Sequence, residues 1–319
     1  MTIALVLVLG ALLVAWAAPR LLEYRLYAGT DPQTSLVTWV ALVASTLFSL
    51  TTAVSLILLP GHGPARQVVA LAHHCWAAVS HGSVPRIDEV TALLSVLLAT
   101  IVVVRGSAAV LRHTLQRRTL HHKHLDLLRI LTGQGPAASG VTLWLDVPHP
   151  MAYSVAGRPA LVVASQGLRR YLPTEAVAAV LEHERAHLRG RHHLLVAIAE
   201  ALAVALPWLP LMRRSPYLVR ALVEVSADVV AARSHSAGAV RAALLGMSAA
   251  GPSPAHTLGM APDCIALRLA ILSSGRSERG RLRRTLHSGL AGAIAVLLPA
   301  FASATLLAAA TVAFCPALG

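Results

Sequence analysis

Hydrophobic positions along the chain are concentrated in four long stretches, at residues 2–18, 36–59, 90–104 and 290–313. A helix needs about 20 mostly apolar residues, or about 17 when it stands upright, to cross the hydrocarbon core of a bilayer. The third stretch reaches this length only if its helix begins near Ile87 and continues past Arg105, whose side chain would then extend to the interface. The pattern predicts an α-helical integral membrane protein with about four transmembrane helices.

The first stretch could also be a secretory signal peptide, since it is apolar from its start. It has no basic residue before the apolar run, however, and it continues as Pro19-Arg20 without a clear cleavage pattern. We therefore predict a membrane anchor.

Positive charge is concentrated between the third and fourth stretches. Residues 105–284 contain 23 of the 27 Lys and Arg and 10 of the 14 Asp and Glu, so this segment accounts for the whole net charge of +13. Because basic segments beside membrane helices stay in the cytoplasm, we expect this segment inside and both termini outside, with Arg20 and Arg25 in the inner loop. Anionic lipid headgroups explain the basic surface better than DNA, and no direct nucleic-acid binding is expected.

Three cysteines, Cys75, Cys264 and Cys315, show no metal-ligand spacing. The predicted topology puts Cys75 and Cys315 on the same outer side, and whether they form a disulfide is left open.

The pattern divides the chain into a three-helix membrane region (1–112), a cytoplasmic domain (113–285) and a fourth transmembrane helix with a short outer tail (286–319). A basic juxtamembrane helix is predicted at 115–135, where the histidines His121, His122 and His124 fit a solvated face better than a metal site. Two short β-like runs follow at 141–147 and 160–164, separated by the turn-rich residues 148–159. A helix is predicted to begin at Pro173 and Thr174 and to end at Gly190.

The run 194–211 is apolar apart from Glu200 and contains Pro207 and Pro210. It could cross the membrane, lie on its inner face or be buried in the domain. A full crossing would separate the next helix from the metal site described below, so we predict a membrane-apposed or re-entrant hairpin. Further helices are predicted at 216–233, 237–247 and 264–272.

The predicted helix before Gly190 contains the run His183-Glu184-Arg185-Ala186-His187. Histidines four residues apart project from one helix face and can bind one Zn²⁺ together. Glu184 lies at the edge of that face, where it can take a proton from water and return it to a leaving amine. The alternative is a surface patch of the same residues on a basic helix.

One catalytic zinc per chain needs a third protein ligand. The downstream candidates are His192, His193, Glu200 and Glu224. The two histidines follow Gly190 too closely to fold back easily, and Glu200 lies in the apolar run. Glu224 is favoured because Asp228 follows one helical turn later and can accept the second N–H of a ligand histidine. The alternative is an ordinary acidic helix face opposite Arg220 or Arg233.

These motifs, together with residues 178–187, the 207–210 run and the segment from Glu224 to Asp228, resemble the BlaR/MecR-type antirepressor metallopeptidases of bacterial membranes. The resemblance implies a mainly α, α+β cytoplasmic zincin domain of the gluzincin type in the inner membrane. It implies His183, His187 and Glu224 on zinc, Glu184 as the base, and a BlaI/MecI-type repressor as the substrate. Residues 162–167 look like the edge strand that such peptidases use to bind substrate backbone. The antibiotic receptors continue into an outer penicillin-binding domain, and we expect a short form without it.

Two other functions remain open from the sequence. An HtpX-type quality-control protease shares the same motifs, and a non-catalytic membrane scaffold could use zinc only for stability, although Glu184 argues against that. The residue that stabilises the oxyanion is not identified, with Tyr153, His235 and nearby arginines as candidates. The lipid bilayer is an expected partner, and a homodimer is left open.

Overall fold

The computed structural model describes residues 2–58, 142–157, 160–249 and 262–273, together with thirteen helical residues between 97 and 116. Two long helices come first, α1 (Thr2–Tyr27) and α2 (Pro32–Leu58). The strands are β1 (Thr142–Leu145), β2 (Ala152–Val155) and β3 (Leu161–Ser165). The later helices are α3 (Gln166–Tyr171), α4 (Thr174–Arg189), α5 (His192–Ala205), α6 (Pro210–Ser234), α7 (Ala237–Ala249) and α8 (Pro262–Ser273).

The helices α1 and α2 form a hairpin through residues 28–31. Within the described residues, two helices are long and apolar enough to cross a membrane, Val6–Tyr27 and Pro32–Val54, and they suggest a membrane protein. The carboxylate of Asp31 caps the start of α2, because it accepts hydrogen bonds from the N–H and the hydroxyl of Thr34 at 3.1 and 3.0 Å.

The prediction that Arg20 and Arg25 lie in a loop was wrong, because both are part of α1. The helix continues past its predicted end because Leu22 and Leu26 are buried and extend the packed face of the helix. The guanidinium of Arg25 donates a hydrogen bond to the Thr38 hydroxyl at 3.5 Å, which joins the end of α1 to the beginning of α2.

Most of the third predicted span and all of the fourth lie outside the described residues, as do the histidines at 121–124 and the cysteines at 75 and 315. Arg105 is described, and its guanidinium donates to the backbone oxygen of Val204 at 3.1 and 3.3 Å. It therefore satisfies a carbonyl group in the last turn of α5. The predicted domain boundaries at 112 and 285 stay predictions.

The strands form one sheet in the order β1-β3-β2. β1 runs parallel to β3, with Thr142 opposite Val162, and β2 runs antiparallel to β3, with Ala152 opposite Ala164. Two predictions were wrong here. The 148–159 run contains a strand, β2, whose four residues are too short to show an alternating pattern between turn residues.

The predicted edge strand at 162–167 is in fact central. All five residues of β3 are buried between its two neighbours, and Gln166 and Gly167 already belong to α3. A continuous apolar run is typical of a strand covered on both faces. β3 has no free edge for a substrate because β1 pairs with one side of it and β2 with the other. The strand at the edge beside α4 is β2.

The predicted bounds of the helix at Thr174 and Gly190 are confirmed by α4. α7 and α8 also confirm the helices predicted at 237–247 and 264–272 within a few residues. The predicted start of α6 at 216 was wrong. Pro210 occupies its first turn, where a missing N–H costs nothing, and Pro216 lies inside the helix.

The N-terminal half of α6 packs against α1, α2 and α5, and one hydrophobic core includes residues of all four helices. The indole N–H of Trp39 donates to the buried Ser215 hydroxyl at 2.7 Å, and Arg214 forms an ion pair with Glu23 at 3.0 Å. The hairpin and the domain that follows it are therefore packed as one unit through α6.

Candidate metal centre

Two helices bring three potential metal ligands together. α4 projects His183 and His187 from one face, with their Nε2 atoms 3.1 Å apart. α6 adds Glu224, whose carboxylate oxygens lie 3.5 Å from Nε2 of His183 and 3.4 Å from Nε2 of His187. The structure thus brings together the three residues that the sequence predicted as ligands.

The donor set fits zinc. Two imidazoles and one carboxylate are a common catalytic zinc set, and it leaves a fourth position for water or substrate. Ligand atoms about 2.1 Å from a tetrahedral zinc lie roughly 3.4 Å from one another. The separations of 3.1, 3.4 and 3.5 Å between the three side chains match this spacing closely.

Asp228 lies behind the first histidine. Its Oδ1 is 2.9 Å from Nδ1 of His183, and its carboxylate is buried one helical turn beyond Glu224. A hydrogen bond from Nδ1–H to Asp228 leaves the Nε2 lone pair of His183 directed at the cluster. The structure therefore places Asp228 where the sequence predicted it.

A buried arginine, Arg268 of α8, was missed by the sequence analysis. It donates to both oxygens of Asp228, at 2.6 and 2.7 Å, and its third nitrogen lies 3.1 Å from Glu224. It therefore joins the metal-facing carboxylate to the one behind it. Arg220, which the sequence suggested as a partner, instead forms an ion pair with Glu200.

His187 also has a partner, His192, which the sequence analysis rejected as a zinc ligand. His192 does fold back, with its Nδ1 3.0 Å from Nδ1 of His187 and its ring almost perpendicular to that of His187. It is not one of the three residues of the metal cluster among the described residues. The expectation that His192 follows Gly190 too closely to fold back easily was wrong, because the chain reverses sharply after Gly190. The choice of Glu224 rather than His192 as the third ligand agrees with the cluster.

Glu184 sits at the edge of the cluster, half-buried, and hydrogen-bonds to Ser154 of β2. Burial raises the pKa of Glu184, because it disfavours the charged carboxylate. A raised pKa suits a group that first accepts a proton and then donates it.

The two histidines of α4 differ in their affinity for protons. Burial lowers the pKa of His183, but hydrogen bonds to Asp228 and Glu224 outweigh burial and raise it to about 10. Burial and the neighbouring charge on His183 lower the pKa of His187 to about 2. In the metal-free protein, His183 is therefore the protonated histidine, and its positive charge pairs with Asp228 and Glu224.

Several sequence candidates lie elsewhere. Glu200 forms an ion pair with Arg220 between α5 and α6. Tyr153 packs with the hydrophobic cluster of Leu145, Leu161 and Val163, on the face of β2 opposite to Ser154, and so points away from Glu184. His235 is exposed at the end of α6. Arg268, which the sequence analysis did not name, is an arginine that lies beside the metal cluster.

Two histidines and a glutamate on two packed helices, with a second glutamate beside them, define the site geometry of a metallopeptidase. Residues 115–261 match the model of Peptidase family M48, which indicates a metallopeptidase of a family that typically uses zinc. The match does not confirm the narrower BlaR/MecR type. It ends before α8, so Arg268 lies outside it. No solved structure matches the chain.

Proposed function

We propose that this protein is a membrane-bound, zinc-dependent endopeptidase that cleaves extended segments of protein substrates. The observation that carries the proposal is that Glu184 neighbours both His183 and Glu224 of the metal cluster and Ser154 of the edge strand β2. A purely structural zinc site has no use for a carboxylic acid beside its ligands.

The residues of the site have separate roles in this proposal. A zinc ion, when bound by His183, His187 and Glu224, supplies a Lewis acid that activates water and polarises the scissile carbonyl group. Glu184 accepts a proton from the attacking water and donates it to the nitrogen of the leaving amine. Ser154 holds the Glu184 carboxylate toward the substrate side by its hydrogen bond.

The free edge of β2 provides a place for substrate backbone. The backbone N–H of Ser165 donates to Met151 O, so residues 151, 153 and 155 bond toward β3 in the antiparallel ladder. The N–H and C=O groups of Ala152 and Ser154 then point to the outer edge, which pairs with no other strand in the described part of the chain. A substrate strand bound there would lie alongside Glu184.

We propose two substrate classes for this site. A cytoplasmic repressor of the BlaI/MecI type is our first proposal, and it is supported by the resemblance of the motifs to the BlaR/MecR-type peptidases. Degradation of damaged membrane proteins, as by the HtpX-type proteases, is the alternative. It is supported by an edge strand that binds backbone and so accepts many sequences.

For the membrane setting, we propose a bacterial inner-membrane protein with the catalytic domain in the cytoplasm and both termini outside. The short turn at 28–31 lies at the end of the hairpin that packs on α6, which agrees with a cytoplasmic turn. Four large apolar side chains of α5 and the turn after it are each 42–50% exposed, namely Leu194, Ile198, Val204 and Trp208. Their exposure supports a membrane-apposed α5.

The test compares the detergent-solubilised wild type with Glu184→Gln. We expect one zinc per chain in both proteins and cleavage by the wild type only. Selective cleavage, at one bond, of a BlaI-like repressor encoded beside this gene supports the regulatory role. Broad digestion of unfolded casein supports quality control. Zinc in the wild type without cleavage of either substrate would favour the scaffold, and cleavage by Glu184→Gln at the wild-type rate would remove Glu184 from its role.

The strand-addition step has its own test. Peptide substrates in which single backbone amides are N-methylated lose one hydrogen-bond donor at a time. We expect KM to rise for methylation at every second position, because alternate residues of a strand face the partner strand. An effect without this alternation would contradict binding along β2.

A further inference from the structure

The connection between α4 and α5 is a tight reversal that directs one side chain back to the metal cluster. α4 ends at Gly190, Arg191 adopts the left-handed conformation with φ 49° and ψ 37°, and His192 begins α5. This conformation is unfavourable for a residue that carries a Cβ atom. The strained residue Arg191 turns the buried His192 toward His187.

The backbone at Gly190 leaves room for that histidine. A Cβ atom added at Gly190 would lie 2.4 Å from Nε2 of His192, closer than atoms can approach. His192 is 6% exposed, so its ring is enclosed by protein. The absence of a side chain at 190 and the turn at 191 therefore fix the ring against His187.

The contact between the two rings can fix the tautomer of His187. A neutral histidine carries its proton on one ring nitrogen and a lone pair on the other. The Nε2 atom of His187 faces His183 and Glu224, whereas its Nδ1 atom faces Nδ1 of His192. If His192 accepts a hydrogen bond at Nδ1, the proton of His187 stays on Nδ1 and its Nε2 lone pair is free for a metal.

We propose that His192 is a positioning residue for the metal centre, which holds His187 in the tautomer and orientation that binds zinc. The inference rests on the proposed metal site and extends it. Each histidine ligand then has its own partner on Nδ1: the carboxylate of Asp228 for His183, and the neutral imidazole of His192 for His187. Neither partner belongs to the cluster that faces the metal.

The experiment uses the full chain in detergent and two replacements of His192. His192→Phe keeps a ring of similar size but has no acceptor, and His192→Asn places an amide oxygen near the position of Nδ1. The matched control is His193→Phe, a change at the adjacent histidine outside the cluster. Zinc affinity is measured by competition with a chelator, and the ligand field by the visible absorption of the cobalt-substituted protein.

We expect His192→Phe to weaken zinc binding about 10- to 100-fold and to alter the cobalt spectrum. His192→Asn should recover most of the affinity, and His193→Phe should behave as wild type. Wild-type affinity and spectrum in His192→Phe would overturn the proposal. Equal losses in the Phe and Asn variants would also overturn it, since they would show a packing role only.

Gly190→Ala tests the same relationship without changing any imidazole. Its methyl group must displace the His192 ring, so we expect weaker zinc binding in a chain whose metal-free melting temperature shows that it is folded. Unchanged affinity in that variant would overturn the proposal even if His192→Phe fails to fold. A wild-type chain that binds neither zinc nor cobalt would instead overturn the proposed metal site, and the role of His192 with it.

Discussion

Arg268 donates two hydrogen bonds to the carboxylate of Asp228 from a helix 40 residues further along the chain. The same guanidinium contacts Glu224, so one buried cation serves both carboxylates of α6. Without it, the carboxylates would share only the proton on His183 as a balancing charge. α8 is therefore part of the site, although it follows the family match.

We predict that Arg268→Met destabilises the metal-free protein by about 3–5 kcal/mol, because it leaves buried carboxylates without their partner. The loss should be smaller in the zinc-loaded protein, where the metal charge offsets part of the deficit. Chemical denaturation with and without zinc measures both values. The control is Arg241→Met, on an exposed position of α7. Equal losses in the two variants would show that the Arg268 contacts contribute little.

Replacement of Asp228 by Asn should weaken zinc binding about 10- to 100-fold, the usual effect of removing a carboxylate behind a histidine ligand. Asn keeps the shape of the side chain but loses the charge that holds the Nδ1–H of His183. Chelator competition measures the affinity. Glu182→Gln, on α4 beside His183 but outside the metal cluster, is the control and should retain wild-type affinity.

Zinc binding at pH 8 should release about one proton from His183. The pKa of His183 is raised to about 10 in the metal-free protein, so its proton is still bound at pH 8 and must leave before Nε2 can bind a metal. His187 and His192, with pKa values lowered to about 2 and about 4, are already neutral at pH 8. Titration calorimetry in buffers of different ionisation enthalpy counts the protons. Using Glu184→Gln for this measurement removes any contribution from that carboxyl, and a count of zero would contradict the pairing of His183 with the carboxylates.

A spin label at position 198, introduced as Ile198→Cys after removal of the native cysteines, should report a lipid environment. The exposed apolar face of α5 predicts faster relaxation by oxygen, which is concentrated in the bilayer, than by a water-soluble nickel complex. A label at His235→Cys, at the exposed end of α6, should show the reverse order. If position 198 behaves like position 235, α5 does not face lipid.

The site residues that lie together on a single helix were the ones best predicted from the sequence. The spacing of His183 and His187, and of Glu224 and Asp228, indicates a shared helix face without knowledge of the fold. The helix bounds at Thr174 and Gly190 were also readable, because proline and glycine mark them locally. These features depend on helical geometry alone, so the spacing of residues in the sequence is enough to predict them.

The partners that lie across the fold could not be predicted in the same way. Arg268 is one basic residue among 27 Lys and Arg, and only the packing of α8 on α6 brings it to Asp228. His192 depends on a left-handed residue at Arg191, a conformation that arginine adopts rarely and that its sequence does not signal. The edge position of β2 follows from strand order, which four residues between turns do not determine.

The shared hydrophobic core has a consequence for where the enzyme can work. Residues of α1 and α2 complete the packing around the first half of α6, and the second half of the same helix supplies Glu224 and Asp228. Proteolytic removal of α1 and α2 would expose the apolar surface of α6, the helix that supplies Glu224 and Asp228. In the membrane setting that we propose, activity is therefore tied to the α1–α2 hairpin. A substrate must then come to the membrane surface, and its local surface density rather than its bulk concentration governs how often it meets the site.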